Sequence, residues 1–119
     1  MTPGEDQQAA LTAITRGLGG LYKEHFGQGP TRARGWFCGP DVVACVLEGT
    51  LTTKEQTMRE AGHAPSIHDT RQMVEEVLEP AMREVVGKAL GRGVEAVVSG
   101  LNAEADVASH VFLLQSDET

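Results

Sequence analysis

The stretch Val42-Val-Ala-Cys-Val-Leu47 decides how the rest of the chain is read. Successive side chains of a strand project to opposite sides. Val42, Ala44 and Val46 therefore point one way, and Val43, Cys45 and Leu47 the other. A strand with one wet face alternates apolar and polar residues, whereas this one is apolar on both. The segment predicts a strand covered front and back. Helices supply one cover; the other is further helix or a second subunit. On that ground Val42, Ala44 and Val46 are candidate interface residues.

Immediately upstream, Arg32–Cys38 reads as a partner strand, joined through Gly39-Pro40-Asp41, whose residues favour a turn. Before it, Leu11, Ile14, Leu18, Leu21, Tyr22 and Phe26 recur at helical spacing. Gly27-Gln-Gly-Pro30 ends that helix, because proline cannot continue it. Gly17, Gly19 and Gly20 lie within the pattern, each costing ~1 kcal/mol against alanine. They mark either close packing against a neighbouring backbone or a weakened helix. Residues 1–8 read as a polar tail, 9–115 as one domain and 116–119 as a second tail.

Downstream, Thr52-Thr-Lys-Glu55 has the spacing of a capping box and opens a short helix to about Ala61. A second helix is expected from Ser66, with Ile67, Met73, Val74, Val77, Leu78, Ala81, Val85 and Ala89 on its buried stripe. Pro80 either kinks it or starts a new helix. Val94–Leu101 and Val107–Leu114 read as a terminal hairpin. The order α-β-β-α-α-β-β predicts a two-layer α+β fold: a mostly antiparallel four-stranded sheet with helices on one face.

Composition narrows the function. At 119 residues the chain fits one domain, and its formal charge of −7 disfavours phosphate backbones and anionic lipid surfaces. No nucleic-acid partner is expected. The start MTPGEDQQAA has no signal-peptide pattern, and no apolar run approaches the ~20 residues of a membrane span. The expectation is a cytoplasmic protein without direct membrane insertion, with Cys38 and Cys45 reduced.

The ordered set of Gly27, Gly29 and Pro30, then Gly49, Leu51, Thr52 and Glu55, then Pro80, Glu84 and Gly93-Val94 resembles the MpsC-like family. The resemblance covers roughly Ala9 to Leu114. It implies a small bacterial protein associated with sodium-translocating, membrane-potential-generating and bicarbonate-uptake systems, with a membrane transport protein as candidate partner. It supplies no catalytic residue. The Cys38-Gly-Pro40 turn and the short Asn102–Asp106 turn depart from the family pattern.

Candidate chemistry is sparse. Gly27, Gly29, Arg32 and Arg34 can be read as an anion site, with His25 and Trp36 beside it. A phosphate-cradling loop, however, normally runs into a helix N-terminus, and here a strand follows. His25, His63, His68 and His110 are scattered, so no metal site is expected. Cys38 and Cys45 lie seven residues apart, which puts them on opposite faces; Cys45 reads as a small buried hydrophobe and Cys38 as exposed. Glu75, Glu76, Glu79 and Glu84 read as the solvated side of a helix. No cofactor is expected. Two readings result: a non-enzymatic, homodimeric accessory module near a cation or bicarbonate transport system, or a small-anion binder using Arg32 and Arg34.

Overall fold

The computed structural model describes residues 3–116. The elements are α1 (Pro3–Phe26), β1 (Arg32–Phe37), β2 (Val42–Glu48), α2 (Thr53–Glu60), α3 (Ala64–Leu90), β3 (Val94–Asn102) and β4 (Val107–Leu114). The four strands form one antiparallel sheet in the order β1-β2-β4-β3. Both hairpins form as the sequence predicts, and β2 pairs with β4 to join them at the centre of the sheet.

Helices α1 and α3 lie against one face. Ile14, Leu18 and Tyr22 from α1 and Leu78, Met82 and Val86 from α3 meet Val43, Cys45, Leu47, Ala108, Phe112 and Leu114 of the sheet. All are buried, and each large apolar side chain among them contributes about 1.5–3 kcal/mol by leaving water. The glycines of α1 do not break it. A Cβ on Gly17 would stand 2.5 Å from Val85 Cγ1, whereas one on Gly20 would meet nothing within 4 Å. Packing is close at Gly17, where α1 touches α3, but against the Val85 side chain rather than a backbone. At Gly20 the glycine contributes no contact.

Two helix starts differ from the sequence reading. Helix α1 begins at Pro3, upstream of Gln8, with Gly4–Ala9 exposed. Helix α3 begins at Ala64 rather than Ser66, because Pro65 fits its first turn and the His63 carbonyl accepts from the Ser66 and Ile67 amides. Pro80 divides nothing: α3 is continuous through it for 27 residues and closes on Gly91 in the left-handed conformation.

Candidate functional site

The register fixes what the sheet shows on the side away from the helices. One row across it is Trp36, Ala44, Val111 and Val98. The next holds Val42, Leu113 and Ala96; the row on the other side holds Arg34, Val46, Ser109 and Gly100. Arg32, Glu48, Val107 and Asn102 close the end. Val98 is 68% exposed, and Trp36, Val111 and Leu113 are exposed as well. Among the described elements no helix covers this face. The two-sided apolar pattern of β2 is thus met by helices on the Val43–Cys45–Leu47 side, while Val42, Ala44 and Val46 are only half-buried.

The proposed ligand residues fall in two places. Arg32 and Arg34 share the open face with Trp36, and both reach Glu48, at 3.8 and 3.4 Å. The Arg34 guanidinium lies 5.5 Å from the Trp36 ring centroid, in cation–π range. Arg34 and Trp36 also line a hollow of about 530 Å³ against the start of α1. His25 is not part of this group. It sits at the end of α1 beside Glu24 and lines a different hollow with Thr52, Lys54 and Met58. Cys38 is exposed and Cys45 buried, and burial pushes the Cys45 thiol up to about 12, so it is inert at neutral pH.

Beneath the sheet runs a buried polar network. The turn Gly49–Thr52 is built around Asp106, whose Oδ1 accepts from the Thr50 amide at 2.8 Å and the Leu51 amide at 3.1 Å. Gly49 has φ +69, and a Cβ there would also collide with Thr31, so only glycine fits. The capping box forms: Thr52 Oγ1 accepts from the Glu55 amide, and Glu55 Oε1 accepts from the Thr52 amide. The same Glu55 carboxylate takes two hydrogen bonds from Arg71, at 2.7 and 2.6 Å. Arg71 Nη2 also donates to the Thr50 carbonyl. Burial alone would raise the Glu55 carboxyl; Arg71 and Thr52 outweigh it and hold it below the usual carboxylate range. The Arg71 guanidinium lies 3.8 Å from the Phe26 ring centroid, which closes α1 over the network.

His110 sits in the core at 0% exposure. Its Nε2 is 2.8 Å from Tyr22 Oη, and its Nδ1 is 2.7 Å from Ser99 Oγ. Burial lowers its pKa to about 4, so the ring is neutral and carries one proton. That proton can face either partner, with the hydroxyls turning to match. Burial, then the nearby Glu75 charge, push the Tyr22 phenol up, so it keeps its proton. Glu75, one helical turn after Arg71, is buried too, and its carboxyl is raised by burial against the opposing pull of Arg71 and His68.

The sequence shows little of this network. Glu55 is found through its capping role, but Arg71, Asp106 and Glu75 look like ordinary surface charges on a helix and a turn. The available signal is positional: Arg71 and Glu75 occupy the same stripe as Ile67 and Leu78, at helical spacing, whereas Met73 and Val77, expected on that stripe, are exposed. Among the described residues, no three His, Cys, Asp or Glu side chains converge as a metal site.

Among the described residues no helix is long and apolar enough to cross a membrane. Comparison with curated proteins and with solved structures gives no match. The comparison with protein families gives one, to the family described as "Na+-translocating membrane potential-generating system (MpsC)", over residues 7–116. The match spans both hairpins, the Gly49–Glu55 turn with its capping box and nearly all of the three helices, so the chain belongs to the MpsC family.

Proposed function

We propose that this protein is a non-enzymatic accessory or regulatory module that works as a homodimer, sheet face to sheet face, within a cation-transport system. The family's description supplies the transport context. The observation that carries the reading is the uncovered apolar sheet face centred on Ala44, Val46 and Val111.

A second copy is the occupant that suits this face. Four strands about 4.8 Å apart and about eight residues long give a face of roughly 500 Å² in projection. A standard interface buries ~800 Å² per partner, and side-chain relief adds to the flat projection of this face. Two chains of charge −7 repel overall, yet the charged side chains in the paired rows are only Arg32, Arg34 and Glu48, a local +1. The repulsion is therefore weakest where the apolar surface is largest.

Light scattering on the purified chain at micromolar concentration tests this. The expected mass is twice 12.7 kDa. Val111→Lys, which places a charge at the centre of the face, should give a folded monomer. A wild-type protein that stays monomeric at 100 µM would refute the reading.

A second reading, binding of a small anion at Arg34, has one observation in its favour: the Arg34 Nε is buried without a hydrogen-bond partner. Bicarbonate or phosphate would then raise the melting temperature, and Arg34→Gln would remove the shift.

A further inference from the structure

The network leaves one buried carboxyl unused. Glu75 is only 6% exposed, and no hydrogen bond reaches its Oε1 among the described residues. A buried acceptor left without a partner is destabilising. Glu75 does not face sealed core. It lies at the junction of two hollows between α3 and β3, of about 200 and 320 Å³, which share Gln72, Glu75 and Ser99.

The groove is mainly acidic, with His68 lining the smaller hollow. Glu76 and Glu79 line it beside Glu75, while Val97, Val98 and Leu101 form apolar wall. Ser99 brings a hydroxyl already bonded to His110. Arg71, one turn earlier, is held through Nε and Nη2 by Glu55 and the Thr50 carbonyl, leaves its buried Nη1 without a hydrogen-bond partner among the described residues, and does not line either hollow. Arg83 pairs with Glu79 at 3.5 Å, at the far end. Carboxylates at the floor and rim with an aliphatic wall match an ammonium head on a short methylene stem.

We propose that the groove between α3 and β3 binds a small primary alkylammonium compound, with Glu75 as the buried anchor and Glu76 and Glu79 as the rim. The ammonium supplies the donors that Glu75 Oε1 lacks, and the stem lies along Val97 and Leu101. Glu75 faces Arg71 and His68 on its own helix, Tyr22 from α1, and Ser99, backed by His110, from the sheet. Burial raises the Glu75 carboxyl, against the opposing pull of Arg71 and His68. A bound cation favours the ionised carboxylate, so ligand and proton compete for it.

Titration calorimetry of the full chain with n-propylammonium chloride at pH 6 and pH 8 tests the site. Saturable binding is expected, no weaker at pH 8 than at pH 6. Glu75→Gln, of the same shape, should lose binding while keeping the wild-type circular dichroism. Glu76→Gln and Glu79→Gln alter exposed or half-exposed carboxylates that fold does not require, and each should weaken binding several-fold. The proposal is overturned by the absence of binding at 50 mM n-propylammonium, by an equal response to 1-propanol or to sodium chloride of the same ionic strength, or by rim variants that bind as wild type does.

Discussion

At the scale of single residues, two glycines three positions apart separate packing from propensity. Alanine at either removes the ~1 kcal/mol helix penalty. At Gly20 there is open space, so Gly20→Ala should stabilise by about 0.5–1 kcal/mol in urea melts. At Gly17 the new methyl meets Val85 at 2.5 Å, and β-branched Val85 has little rotamer freedom in a helix, so Gly17→Ala should destabilise by about 1–3 kcal/mol. His110 makes a second residue-scale prediction. Its folded pKa of about 4 lies below the ordinary 6.5, so the unfolded chain takes up the proton first as pH falls. Its contribution is constant above pH 6.5 and declines between 6.5 and 4. Between pH 7 and pH 5 this amounts to roughly 2 kcal/mol of lost stability. Glu75, with a raised pKa, acts in the opposite sense, losing stability as pH rises above the ordinary carboxylate range. The difference in pH slope between wild type and His110→Gln isolates the histidine; equal slopes would show that the ring is charged in the fold.

Among the elements, the junction of the Gly49–Thr52 turn, α2 and α3 rests on Glu55 and Arg71. Glu55→Gln can keep the capping box, since glutamine also serves at that position, but it strips the counter-charge from a guanidinium that is 1% exposed. The expected loss is about 3–5 kcal/mol, and Glu55→Gln/Arg71→Met should be less costly than the sum of its single changes by about 2 kcal/mol. A double-mutant cycle by urea denaturation measures both. The capping half of this junction was legible in the sequence, because Thr52 and Glu55 are local in the chain. Its partners Arg71 and Asp106 were not, since their roles depend on which elements meet in space. The same division runs through the fold. Periodicity and turn residues place all four strands and the helices. The helix starts drift because Pro65 and Pro3 are tolerated in a first turn. Candidate site residues chosen by chain proximity divide likewise: Arg32, Arg34 and Trp36 share a strand and come together, whereas His25, seven residues before Arg32, is carried off by the Gly27–Pro30 bend.

For the whole molecule, association through the open face would make stability depend on protein concentration. If the dimer forms, the melting temperature of the wild type should rise by a few degrees from 1 to 100 µM, while Val111→Lys should show no such rise. Differential scanning fluorimetry across that range decides it. The apolar double-sidedness of β2 was readable from six residues; what covers its second side was not, since a sequence shows the demand for burial and not its source. The strand order β1-β2-β4-β3 has a further consequence for how the molecule comes into being. Strand β2 finds its central neighbour only in β4, so Val42 waits for Leu113, two helices and a strand later. During synthesis the first hairpin leaves the ribosome with its inner edge unmatched until β4 has followed. Such a chain gains its sheet late and all at once, and any truncation before Val107 leaves a sticky half-product rather than a smaller fold.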